Sequence, residues 1–150
     1  MQNLNKSTIL KALNFVEDNI IITDIDGIIL WCNESTFKKT GYSEKELINQ
    51  KSNAFRHPKT PKTTFKNMWN TIKNEKKEWH GKLQNLTKQK ETYIAEISIT
   101  PVFDENNQIQ YFICIQRDVT ELERIKEEIK RKIKKAQLLV KKQLKNHENL

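Results

Sequence analysis

Residues 79–87 (WHGKLQNLT), 92–103 (TYIAEISITPVF) and 108–117 (QIQYFICIQR) alternate between two faces residue by residue, the period of a β-strand and not of a helix. The tetrapeptides between them, Lys88-Gln89-Lys90-Glu91 and Asp104-Glu105-Asn106-Asn107, carry turn chemistry, so the strands follow one another as antiparallel hairpins. Upstream, Asn19 to Thr23 is apolar and β-branched, Asp24-Ile25-Asp26-Gly27 supplies a turn, and Ile28 to Cys32 resumes the strand as a further hairpin. Short helices fill the middle. Asn33 caps Glu34 to Lys39, which stops at Gly41, and Ser43-Glu44-Lys45-Glu46 has the spacing of a capping box opening a helix to Asn49. Pro61 sits in the first turn of another helix, on which Phe65, Met68, Trp69 and Ile72 share a face. Two strands, a run of helices and three more strands predict an α+β domain. Its frame is a five-stranded antiparallel sheet with short helices on one face.

Both flanks read as helical. Ser7 to Val16 is amphipathic, with Ile9, Leu10 and Leu13 in its stripe. From about Thr120 one long helix begins, with Leu122, Ile125, Ile129, Ile133, Ala136, Val140 and Leu144 spaced 3, 4, 4, 3, 4, 4. That eleven-residue repeat makes a nearly straight seam, which an isolated helix would leave in water and which a copy of itself or a partner would cover. The organisation is residues 1–16 as an N-terminal helical cap, 17–120 as the domain and 121–150 as a C-terminal amphipathic helix.

Of 150 residues, 36% are hydrophobic and 31% charged, with a mean hydropathy of -0.78, enough for one core. No apolar run approaches the roughly 20 residues of a spanning helix, and Met1 to Leu10 lacks a signal-peptide pattern. A cytoplasmic location without membrane insertion is expected. Two cysteines 82 positions apart form neither a disulfide scaffold nor a metal knuckle. The net charge of +8 comes from 23 Lys and 4 Arg against 19 acids, and residues 121–150 hold +5 of it. A lysine-rich solvated face, short of arginine, speaks against sequence-specific nucleic-acid reading. No P-loop, G-x-S-x-G or H-E-x-x-H occurs, so catalysis is not expected. His147-Glu148 has the start of a kinase phosphoacceptor box without its Arg-Thr-Pro continuation, leaving open the N-terminal sensor part of a histidine kinase.

Thr23-Asp24-Ile25-Asp26-Gly27, then Asn33, Gly41-Tyr42-Ser43-Glu44-Lys45-Glu46-Leu47 and the closing Arg117-Asp118-Val119-Thr120-Glu121 resemble a PAS sensory domain over about residues 14 to 121. Arg56-His57-Pro58, Pro61, Phe65, Met68-Trp69, Trp79, Gly81, Asn85 and Tyr93 are similar to the PAS domains of Aer-type aerotaxis and redox transducers. Several of those hold FAD non-covalently. The chain has Lys59 where those transducers commonly have Asp. The resemblance implies a non-catalytic flavoprotein sensor of redox, oxygen or energy state that signals through its terminal helix to a chemoreceptor-like partner.

The expected cofactor-binding residues are Arg56, His57, Trp69, Trp79 and Asn85. On the strand from Trp79, residues 79, 81, 83 and 85 share a face opposite His80, Lys82, Gln84 and Leu86, and the first set is the inward one. A buried Asn85 must have its amide satisfied, by a flavin ring edge or by neighbouring backbone. Trp79 stacks on the ring or fills the core, whereas Trp69 reads more as core. Arg56 meets a pyrophosphate, an anionic ring edge or a surface carboxylate. His57 touches adenine or ribose, or faces solvent. Haem is the alternative cofactor, needing His57 or His80 as axial ligand. A cofactor-free dimerisation module is the other reading. The outer sheet face is expected to show Ile94, Phe112 and Cys114 as an apolar patch that the N-terminal helix or a second subunit of a homodimer covers.

Overall fold

The first three helices each start at a short polar side chain. In the computed structural model, which describes residues 3–150, Asn5 caps α1 (Lys6–Leu13) by accepting from the Thr8 N–H at 2.8 Å. Asn33 caps α2 (Glu34–Thr40), and Gly41 ends it at φ +76, the left-handed conformation glycine adopts without strain. Ser43 and Glu46 close the expected capping box on α3 (Glu44–Leu47). A 3-10 turn over Ser52–Phe55 leads to α4 (Lys62–Trp69), which continues into a π turn at Asn70–Asn74.

The strands are β1 (Asn19–Thr23), β2 (Ile29–Cys32), β3 (Trp79–Leu86), β4 (Thr92–Phe103) and β5 (Ile109–Asp118). They form the expected five-stranded antiparallel sheet, in the order β2-β1-β5-β4-β3, with first and last strands meeting in the centre. Two neighbouring apolar clusters make the core. Met68, Ile72, Trp79, Tyr93, Ala95, Ile97, Ile99 and Phe112 pack under α4, and Ile21, Ile29, Cys32, Leu47 and Phe55 pack under α2 and α3.

Two expectations are corrected. The N-terminal helix ends at Leu13, not Val16, because residues 13–18 are claimed elsewhere: Asn33 Nδ2 donates to the carbonyls of Leu13, Val16 and Asp18, and Asn14 Oδ1 accepts from the Glu34 N–H. Phe112 and Cys114 do not lie on the outer sheet face. Phe112 is 2% exposed and packs with Trp69, while Cys114 packs against both core clusters. The exposed large apolar residues of β5 are Tyr111 and Ile115. Ile94, on β4, alternates with buried Tyr93 and Ala95 and does face outward.

The chain divides into two compact units, residues up to Asp118 and Val119–Leu150. The second is α5 (Thr120–Glu148), a single 29-residue helix. Its seam residues, Leu122, Ile125, Ile129, Ile133, Val140 and Leu144, are all between 41% and 59% exposed. Arg124 links Glu121 and Glu128 along its first turns.

Candidate functional site

Between the inner sheet face and α4 lies a cavity of about 80 Å³. Its walls are apolar. Ile97, Ile99, Phe112 and Ile21 come from the sheet, and Met68, Trp69 and Phe65 from α4. Polar side chains enter from Asn85 on β3, Gln116 on β5, Thr23 on β1, Ser52 in the 3-10 turn and Arg56 at the start of the 56–61 loop.

The backbone places these groups. The alternation read from the sequence holds on β3, where Trp79 and Asn85 are buried and His80, Lys82 and Gln84 are exposed. An isolated bridge between Arg56 and Asn85 then brings the loop against the strand. The Arg56 guanidinium stacks over the Phe65 ring at 3.9 Å, and burial pulls its pKa below the ordinary value. Among the described residues no carboxylate pairs with it. Desolvation without a counter-ion makes Arg56 an anion-seeking group.

The two amides differ in what they lack. Gln116 is 6% exposed; its Nε2 donates to Cys114 Sγ at 3.6 Å, and its Oε1 is buried with no partner. Asn85 is 4% exposed and approaches the Tyr93 hydroxyl, which is itself buried without a full hydrogen bond. Burial pushes the Tyr93 hydroxyl up to about 12, with the Asn85 amide acting in the opposite direction. Burial likewise raises the Cys114 and Cys32 thiols from 9.0 to about 12, so both stay protonated. The two cysteines flank Ile21 from β2 and β5, roughly 9–10 Å apart at two strand spacings, too far for a disulfide.

Of the five expected site residues, the structure brings Arg56, Trp69 and Asn85 to the cavity. Trp79 is buried beside it but does not line it. Its indole lies over Gly81, where a Cβ would stand 2.2 Å from the ring, and its Nε1–H donates to Asn67 Oδ1 at 3.3 Å. His57 also stays outside, its Nδ1 accepting from the Lys59 N–H at 3.1 Å. His80 is exposed beside Glu78, and no histidine among the described residues lines the cavity. Trp69 is more than core. It meets Phe112 edge-to-face at 5.9 Å on one side and carries Lys73 Nζ at 4.9 Å on the other. A surface groove containing Lys51, Arg56 and Lys73 shares Ser52, Arg56 and Trp69 with the cavity.

Sequence reasoning missed Gln116. The signal was weak: Gln116 lies two places from Cys114 and four from Phe112, but the unbroken apolar run Phe112-Ile113-Cys114-Ile115 leaves the phase of the strand open.

A cavity between a five-stranded antiparallel sheet and short helices, with one unpartnered amide oxygen on its central strand β5, defines an α+β module built around an internal cavity. The chain belongs to the PAS domain family, whose model matches residues 17–121. It is 30% identical over 101 residues to the nitrogen fixation regulatory protein of Klebsiella oxytoca and 31% identical over 101 residues to the aerotaxis receptor of Escherichia coli. Each alignment covers 67% of this chain and 20% of the relative, so the chain spans about a fifth of their length. Among solved structures, a PAS domain from Colwellia psychrerythraea superposes with a TM-score of 0.70 at 27% identity, covering 77% of this chain and 97% of that one.

Proposed function

We propose that the cavity holds the ring of a flavin, with FAD as the cofactor, and that the protein is a sensor of redox or energy state. The observation that carries this reading is the unpartnered Gln116 Oε1 in a mostly apolar slot shared with the Asn85 amide. An apolar planar body with hydrogen-bonding edges satisfies such a slot, and an aliphatic ligand does not. Arg56 and the groove beside it suit an anionic tail, and the phosphates of FAD supply one. The family relatives named as an aerotaxis receptor and a nitrogen fixation regulator support a sensory role. Haem finds no histidine in the cavity.

When bound, flavin supplies reversible two-electron chemistry in which ring nitrogen N5 accepts a hydrogen bond when oxidised and donates one when reduced. The chain's own residues do the rest. The Asn85 and Gln116 amides meet the ring edge, and a change in what the ring offers them alters hydrogen bonding on β3 and on β5. Because β5 runs directly into α5, strand displacement reaches the signalling helix through one continuous backbone. The exposed seam of α5 pairs with a second copy, and a chemoreceptor-like transducer reads the pair.

Titrating ligand-free protein with FAD, FMN and riboflavin tests the assignment. FAD is expected to bind most tightly, and Arg56→Ala to weaken FAD while leaving riboflavin unchanged. Equal loss for all three ligands would remove Arg56 from the anion role.

A further inference from the structure

Cys114 and Gln116 stand two residues apart on β5, so both side chains enter the cavity from the same strand face. The Gln116 amide is not symmetric in its surroundings. One end is engaged, with Nε2 donating to Cys114 Sγ at 3.6 Å, and the other, Oε1, is buried and unpartnered. Turning the amide over would exchange one weak contact with the thiol for another, and would face an NH₂ group with two donors into a mostly apolar slot in place of a single carbonyl oxygen. The present orientation leaves only one acceptor there.

We propose that Cys114 is a positioning residue that holds Gln116 with its carbonyl toward the ligand, so that the site favours a ligand presenting an N–H at that point. Resting on the flavin reading, this means that the site binds the reduced ring, with its N5–H, more tightly than the oxidised ring. The sulfur acts through Gln116 and takes no part in bond making. Burial supports this, because a thiol held protonated is a poor nucleophile and keeps its place as a neutral partner.

The test is the midpoint potential of the flavin-loaded protein, measured by dithionite reduction against an equilibrating dye. Cys114→Ala is expected to lower the preference for reduced over oxidised flavin by roughly two- to twelve-fold, what one net hydrogen bond contributes. For a two-electron couple that is a shift of roughly 10 to 33 mV to more negative potential. Cys114→Ser, similar in size to alanine but able to accept from Nε2, restores the wild-type value. Gln116→Leu shifts the potential in the same direction, and adding Cys114→Ala to it changes nothing more. An unshifted potential in flavin-bearing Cys114→Ala, or an equal shift in the Ser variant, overturns the inference and leaves the flavin reading intact. A wild-type chain that takes up no flavin overturns both.

Discussion

Replacing Asn33 by alanine removes six hydrogen bonds from a side chain that is fully buried. Its Oδ1 accepts from Ile20 N–H at 2.9 Å, Thr36 Oγ1–H at 2.8 Å and Thr36 N–H at 3.3 Å, and its Nδ2 donates to the carbonyls of Leu13, Val16 and Asp18. Not all six matter equally. The three carbonyls lie near the surface, where water replaces the amide. Thr36 Oγ1 keeps a second partner in the Ile20 carbonyl at 3.4 Å. The Ile20 N–H is left buried and unpaired, at about 1–3 kcal/mol. Loss of the α2 cap adds about 0.5–2 kcal/mol. Together the cost is about 1.5–5 kcal/mol. With an unfolding entropy of about 2.1 cal/mol/K per residue over the 118-residue unit, the midpoint falls by roughly 6–20 °C. Asn5→Ala, the loss of an exposed cap with one backbone donor, sets the comparison at the low end of the capping range. Thermal unfolding followed by circular dichroism reads both. A fall of less than about 4 °C in Asn33→Ala, or one equal to that of Asn5→Ala, would refute the claim that Asn33 ties α1, β1 and α2 together.

Gly81→Ala is expected to destabilise by about 1–3 kcal/mol, because the new methyl meets the Trp79 indole, and denaturant melts will show it. Asn85→Ala is expected to weaken flavin retention through purification more than Cys32→Ala does, since only the first residue lines the cavity; retention ratios by absorbance check this. Native protein is expected to resist iodoacetamide at pH 8 and to label at both thiols once unfolded, by mass spectrometry. Cys32, Cys114 and Tyr93 hold their protons in the folded state to about 12, while the unfolded thiols lose theirs near 9. Folding stability from these groups is therefore complete below pH 9 and is lost as pH rises toward 12, which chemical melts across that window will follow. Ile129→Asp with Ile133→Asp is expected to convert a dimer to monomer by light scattering without changing the melt of the sheet unit.

What the sequence told about the fold came from positions where local chemistry leaves one option. Ser43 with Glu46, Asn33 before α2 and Gly41 after it each do what their side chains permit. On β3 polar His80, Lys82 and Gln84 oppose Trp79 and Leu83, so the inward face is legible and Asn85 follows from it. On β5 the signal fails. Phe112, Ile113, Cys114 and Ile115 are apolar in succession because this strand is central in the sheet, and alternation cannot choose its phase. That one ambiguity put Phe112 and Cys114 on the wrong face and hid Gln116. Trp79 was placed inward correctly, but only the packing of its ring over Gly81 shows that it stands behind the cavity wall. The π turn after Trp69 carries no distinctive sequence, and the partner of His57 is a backbone group that spacing does not reveal.

The central claim is that the slot beneath α4 carries a flavin ring against Asn85 and Gln116. An absorption spectrum of the full chain, purified without added ligand and followed by chromatography of the released nucleotide, tests it most directly. The two flavin bands, near-ultraviolet and blue, and a released compound that co-elutes with FAD are expected. A colourless protein whose spectrum and melting temperature ignore added FAD would contradict it.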